Sequence, residues 1–364
     1  MINIIRVRKG KYVSFVLLAF LMVLAVSLKA SDHKNDHEKS TYSKKEYNAG
    51  ESIIEHILDS YYWHILEWKE TVVSLPLPVI LFDEGKFHIF MSSKFHHGHK
   101  AYKGFEIAHN GSNKGKIVKI DTQEIPLDLS ITKNVLSLFI SLIILIGMFL
   151  SIAKTYKIRN GKAPKGLQSL LEPLIIFIRD DIAKAAIGQK KYMKFLPYLL
   201  SIFFFIFINN LMGIIPFFPG GANVTGNIGI TMVLALFTFI ITSINGNKAY
   251  WKHIINAPGV PWWLKIPIPL MPIVELIGVF TKPFVLMVRL FANITAGHII
   301  ILGFISLIFI FGNMNATMGY GVSIVSIAFA VFMGILELLV AFIQAYVFTL
   351  LSAIYFGMAT EDHH

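Results

Sequence analysis

The sequence predicts an all-α polytopic membrane protein of about five transmembrane helices and one interfacial helix, preceded by a small exported α+β segment. Three observations predict it. The 364-residue chain is 55% hydrophobic and only 15% charged, with a mean hydropathy of +0.62, too apolar for a soluble protein of this length. From Leu136 onward the apolar residues gather into runs of membrane-spanning length. The basic residues behind the net charge of +11 crowd the short loops between those runs, a topology signal and not a nucleic-acid surface. The absence of cysteine excludes disulfides and thiolate metal sites.

Residues 1–30 read as a signal peptide. Arg6, Arg8, Lys9 and Lys11 precede an apolar core from Val13 to Val26, and Ala25, Ser27 and Ala30 offer small residues for cleavage. An uncleaved anchor is the alternative, but the run is short and polar sequence follows at once. Residues 31–130 then form an exported, periplasmic domain that is partly disordered. Ser31 to Gly50 is charged and rich in Lys, Asp, His and Ser. Ser52 to Trp68 carries apolar residues at helical spacing, which predicts an amphipathic helix. Short β-like runs follow at Val79–Phe82, Phe87–Met91, Gly104–Ile107 and Lys116–Ile120, separated by Gly, Asn and Ser turns. Nine of the thirteen histidines fall here, His96, His97 and His99 among them. Such a run reads as a solvated loop, since no second ligand cluster accompanies it, and no cofactor or metal is expected.

Residues 131–364 form the membrane domain. Leu136–Ile152 has the length of one span and ends in Lys154, Lys157 and Arg159. The basic stretch to Lys194 should be cytoplasmic. Within it, Leu167–Ile187 reads as a helix lying on the membrane surface. Phe195–Phe218 and Ile228–Ile244 are the second and third spans, joined by an uncharged loop with Pro216, Pro219, Gly220 and Gly221. The next loop bears Lys248, Lys252 and Lys265, with Trp262 and Trp263 as interface anchors. Uncharged loops at 216–226 and 312–320 therefore share one side of the membrane, basic loops the other.

The last two apolar segments are too long for one crossing. As straight helices Ile266–Phe311 spans roughly 68 Å and Val322–Ala359 roughly 56 Å, against a hydrocarbon core of about 30 Å. They must tilt steeply, bend or break. Pro267, Pro269, Pro272 and Pro283 offer break points in the first.

The polar residues inside this hairpin are few. Glu275, Lys282, Arg289, Asn293 and His298 lie on the first helix, Glu337 and Gln344 on the second. A fixed positive charge deep in apolar sequence costs about 2.5–3.5 kcal/mol on insertion scales and marks a functional site with an anionic partner. At 100° per residue, Glu275, Lys282, Arg289 and Asn293 share one stripe, and His298 points roughly the opposite way. In an antiparallel pair, Gln344 set level with Arg289 brings Glu337 near the level of His298. Protonatable groups then stand on both sides of a non-titrating charge. His298 also suits a backbone hydrogen bond in a packed core, Gln344 a role as helix–helix glue, and Lys282 a snorkelling position at the interface.

At these residues the sequence resembles the a subunit of the membrane sector of F-type rotary ATP synthases. The resemblance is carried by Thr281-Lys-Pro-Phe-Val-Leu-Met-Val-Arg289-Leu-Phe-Ala-Asn293-Ile-Thr-Ala-Gly297-His298, by Glu337-Leu-Leu-Val-Ala-Phe-Ile-Gln344, and more weakly by Asn210-Leu-Met-Gly-Ile-Ile-Pro216. It implies that Arg289 faces the essential carboxylate of a rotating c-subunit ring. It also implies that Asn293, His298, Glu337 and Gln344 line an inlet half-channel and that Glu275 lies near the outlet. The family's partners follow: the c ring, the b-subunit stator stalk, the rest of the complex, protons and the lipid bilayer, with no nucleic acid. So does a multi-pass place in the bacterial inner membrane, with a cytoplasmic C-terminus and a non-catalytic, proton-conducting role. The family carries Glu at the position of His298 and His at that of Glu337 in some relatives; here one imidazole and one acid are present in His/Glu order. Residues 31–130 exceed the family's usual short N-terminus, so nothing carries over to them. A proton-coupled secondary transporter is the alternative, but such proteins are built on internal repeats, and the two halves show none.

Overall fold

The computed structural model describes residues 48–68, 71–109, 111, 113–158, 163–215, 218–255 and 270–361. The expected signal peptide, the polar stretch up to residue 47, Pro216, the Trp262/Trp263 anchors, Lys265, and the break points at Pro267 and Pro269 lie outside the described residues.

The N-terminal domain opens with helix α1 (Ala49–Ile57). An antiparallel hairpin follows, β1 (Tyr62–Trp68) paired with β2 (Thr71–Pro76). The helix expected over residues 52–68 therefore stops halfway. Beyond Asp59-Ser60 the apolar positions are aromatic or β-branched, residues that fit a pleated surface, and short apolar runs satisfy either period. Strands β3 (Pro78–Asp83), β4 (Lys86–Met91), β5 (Phe105–Ile107) and β6 (Ile117–Lys119) coincide with the four β-like runs. Glu84 and Gly85, both at positive φ (48° and 78°), make the two-residue turn between β3 and β4. A two-residue strand, β7 (Leu127–Asp128), pairs with the other edge of β3. Val79, Leu81, Phe95 and Ile117 are fully buried at the centre of this domain.

The remaining chain is helical: α2 (Lys133–Ile158), α3 (Leu167–Phe177, continuing through a π-helical stretch Ile178–Lys184 to Ile187), α4 (Tyr192–Ile214), α5 (Ile228–Asn245), α6 (Lys248–Ile255), α7 (Leu270–Met314) and α8 (Ala316–Thr360). Five of these, α2, α4, α5, α7 and α8, are long and apolar enough to cross a membrane. The protein is thus a multi-pass membrane protein. The segment 167–187, expected at the membrane surface, is one helical unit whose Ile178, Ile182 and Ala183 are buried in the core shared with α4 and α8. Gly357 of α8 makes that contact possible: a Cβ there would lie 2.0 Å from the Ala186 carbonyl oxygen.

Helices α7 and α8 contain 45 residues each, about 67 Å, and form an antiparallel hairpin. Two expectations are corrected. Helix α7 runs unbroken through Pro283, because a proline removes a single backbone donor and the neighbouring turns of a membrane helix restore the rest. The uncharged loop expected at 312–320 is almost entirely helical, with Asn315 alone extended (φ −158°) and its side chain accepting from the Thr317 N–H at 3.0 Å. The two backbones nearly touch at this apex, where a Cβ on Gly319 would lie 2.7 Å from Gly312 Cα. Further along the hairpin Phe304 stacks on Phe329 with centroids 5.2 Å apart.

The N-terminal domain is tied to the bundle at Asp59, whose carboxylate accepts from the Asn134 N–H (3.0 Å) and the Thr132 hydroxyl (2.7 Å) at the start of α2. This satisfies donors that a helix N-terminus otherwise leaves unpaired.

Candidate functional site

The hairpin register brings His298 and Glu337 together. His298 Nδ1 and Glu337 Oε1 are in hydrogen-bond contact, with side chains 13% and 4% exposed. Glycines make room for both groups. A Cβ on Gly297 would meet Glu337 Oε1 at 3.0 Å, and one on Gly213 of α4 would lie 3.5 Å from His298 Nε2. An acid and an imidazole thus face each other inside the bundle, the two side-chain types most used to pass protons.

Polar groups continue toward the N-terminal domain. Asn210 of α4 donates to the Ala341 carbonyl (3.1 Å) and accepts from the Thr225 hydroxyl (2.6 Å). Thr295 donates to the Gly226 carbonyl (3.5 Å). Asn209 and Asn223 are buried beside them. Gln344, two turns beyond Glu337 on α8, is also buried.

Arg289 and Asn293 lie on the other flank of α7 and are exposed, with Ala292 and Ala296 exposed between them. Among the described residues no carboxylate forms an ion pair with Arg289. Counting nine residues along each helix from the His298–Glu337 contact brings Arg289 level with Tyr346, about half a turn past Gln344. Glu275 is half-buried near the opposite end of the bundle. It lies within electrostatic reach of Lys282 and of Tyr250 in α6. Burial, then the Glu275 charge, pushes the Tyr250 phenol up. Lys282 turns toward α8, its Nζ 5.7 Å from the centre of the Tyr355 ring.

The sequence singled out Glu275, Arg289, Asn293, His298, Glu337 and Gln344. The fold brings His298 to Glu337, buries Gln344 two turns further along the same helix, and leaves Arg289, Asn293 and Glu275 separate from them. It adds residues the sequence reading passed over. Gly213 leaves room beside His298, Thr225 and Thr295 bond to Asn210 and Gly226, and a line of hydroxyls, Tyr198, Thr238 and Ser352 (2.7 and 3.3 Å apart), crosses the core between α4, α5 and α8. Small and hydroxyl residues blend into apolar membrane sequence; only a glycine on a helix facing the histidine hinted at them. Among the described residues no group of three or more His, Asp or Glu side chains is arranged to hold a metal ion. His97 instead stacks on Tyr62, centroids 4.6 Å apart.

Residues 135–357, more than half of the chain and all six of these positions, match the family described as ATP synthase A chain. The chain belongs to that family. Among its relatives, ATP synthase subunit a of Chloroherpeton thalassium is 45% identical over 244 residues, covering 65% of this chain and 69% of the relative. ATP synthase subunit a 2 of Chlorobaculum tepidum is 46% identical over 245 residues, covering 65% and 66%. ATP synthase subunit a of Myxococcus xanthus is 40% identical over 244 residues, covering 65% and 75%. Residues 52–135 match a second family, described only as a domain of unknown function.

Proposed function

We propose that this chain is the non-catalytic, proton-conducting stator subunit of an F-type ATP synthase, passing protons to and from a ring of c subunits. One observation carries this reading. His298, packed against the buried Glu337 acid, and an exposed guanidinium with no ion-pair partner among the described residues occupy opposite flanks of the same membrane helix. Arginine stays charged at every physiological pH, so an exposed Arg289 in apolar surroundings calls for an anion on another chain. The exposed Ala292 and Ala296 beside it let a neighbouring helix approach closely.

In this mechanism a ring carboxylate is protonated in lipid, where desolvation disfavours its charge. At roughly 5 Å from Arg289, with an effective dielectric near 20, it gains about 3 kcal/mol of Coulomb attraction. That favours the ionised form by roughly a hundredfold. The proton leaves by the Glu275 side. Another arrives through His298 and Glu337, with Asn293 and Gln344 lining the inlet. Arginine stays protonated at physiological pH, so Arg289 cannot relay a proton and transfer between the half-channels requires the ring to turn. The membrane potential supplies about 2.3 kcal/mol per elementary charge per 100 mV.

The basic loops support a topology with the C-terminus in the cytoplasm and residues 31–130 on the exported side of a bacterial inner membrane, after a proposed signal peptide over residues 1–30. The b-subunit stalk holds the chain against the ring's rotation. The test is passive proton flux through the reconstituted membrane sector. His298→Ala and Glu337→Gln should each block it while the chain still co-purifies with the ring; unchanged flux in both would refute the reading.

A further inference from the structure

We infer that the N-terminal domain is a brace for the mouth of the inlet, with Trp63 as a positioning residue acting through the segment Phe218–Asn227. This inference rests on the inlet role proposed for His298 and Glu337.

Trp63 lies on β1 and is 2% exposed. Its burial comes from outside its own sheet. The indole packs on Ala222 and Val224, 0% and 1% exposed, and meets the Phe218 ring edge-on with centroids 5.1 Å apart. Leu75, its cross-strand partner on β2, joins the same cluster, as does Leu136 of α2.

The far side of that segment forms the surroundings of the buried pair. Thr225 and Gly226 are the partners of Asn210 and Thr295 described above. The Ala222 carbonyl oxygen lies 3.7 Å from the Cβ position of Gly213, which is itself 3.5 Å from His298 Nε2. A single layer of chain therefore separates Trp63 from the imidazole. That layer is neither helix nor strand. Its backbone bonds include Val224 N–H to Ala222 O (3.0 Å) and Asn227 N–H to Val224 O (3.2 Å) within the segment and Gly221 N–H to Met212 O (3.1 Å) on α4. Side-chain contacts add to these, the large aromatic of the N-terminal domain among them. Asp59 locks the domain to α2, and α1 packs against α7. The brace is thus anchored to helices on both sides of the mouth.

The experiment uses the whole membrane sector in vesicles and reads proton flux against pH on the exported side. Trp63→Ala should assemble normally, slow the flux by about tenfold, and shift its pH midpoint. A displacement of about 1 Å at a proton-transfer site can cost roughly a hundredfold. Trp63→Phe should restore most of the rate and the midpoint. Val224→Ala trims the same contact from the other side and should give a smaller change of the same kind, which keeps the test open if Trp63→Ala does not assemble. If every assembled variant keeps the wild-type rate and midpoint while His298→Ala blocks flux, the brace is wrong and the inlet stands. If His298→Ala also conducts normally, the inlet itself fails.

Discussion

Gly297→Ala offers a sharp test of the buried pair, because the substitution adds one carbon at a known distance from one atom. The new Cβ would sit 3.0 Å from Glu337 Oε1 and 3.2 Å from Glu337 Cδ, so the carboxylate must retreat by a few tenths of an ångström. That oxygen is the one in contact with His298. Hydrogen bonds to charged groups contribute about 1.5–3 kcal/mol, and about 1.36 kcal/mol corresponds to a tenfold change in rate. Loss of the contact should therefore slow proton flux by about tenfold to a hundredfold. The helix itself should gain slightly, since alanine is favoured over glycine by about 0.5–1 kcal/mol in a helix interior. Gly303 is the internal control: it lies on the same helix with no atom within 4 Å of its Cβ position, so Gly303→Ala should leave flux unchanged. The assay is passive flux through the reconstituted membrane sector, with assembly checked by co-purification. If Gly297→Ala conducts like wild type, the pair's geometry does not limit proton transfer and the reasoning fails.

Other expectations are equally concrete. Gly357→Ala would set a Cβ 2.0 Å from a backbone oxygen of α3, a clash only helix separation relieves; overpacking of this kind costs about 1–3 kcal/mol or more, and the detergent-solubilised protein should melt lower, an unchanged Tm contradicting the contact. Asp59→Ala should cost about 0.5–2 kcal/mol as a lost helix cap, seen as faster hydrogen exchange at residues 132–136; protection equal to wild type would show the cap to be dispensable. Burial, then the neighbouring His99, His64 and His96, hold the His97 imidazole below its ordinary value. The folded domain resists protonation there, so its stability is unaffected well above pH 6.5 and falls as the pH drops through about 6.5, where the unfolded chain takes up the proton. Proteolysis within residues 48–130 should accelerate on acidification, and His97→Gln should lessen that dependence.

Much of the membrane architecture was legible because spans announce themselves by length and charge. The third span begins at Ile228 in both sequence reading and structure. The pairing of His298 with Glu337 was legible once Gln344 was set level with Arg289, since rise per residue then fixes the rest; the structure shifts that register by two residues, to Tyr346. The apex was not. Gly312, Asn315 and Gly319 look like loop residues in sequence, yet the close approach of two helix backbones requires the glycine at 319. Pro283 misled for a related reason, as one missing donor is a small perturbation in a packed 45-residue helix. In the N-terminal domain Tyr62 and Trp63 fit either period, and Trp63 takes strand form opposite Leu75 and packs on residues 218–224. The contacts with 218–224 lie more than 150 residues away in the chain and leave no local signature.

Arg289 is exposed and, among the described residues, has no ion-pair partner; the proposed stator role gives it a carboxylate on a moving ring. Proton-driven ATP synthesis in coupled vesicles carrying Arg289→Ala measures this most directly. The account predicts that synthesis is abolished while the complex still assembles; synthesis at the wild-type rate would contradict it.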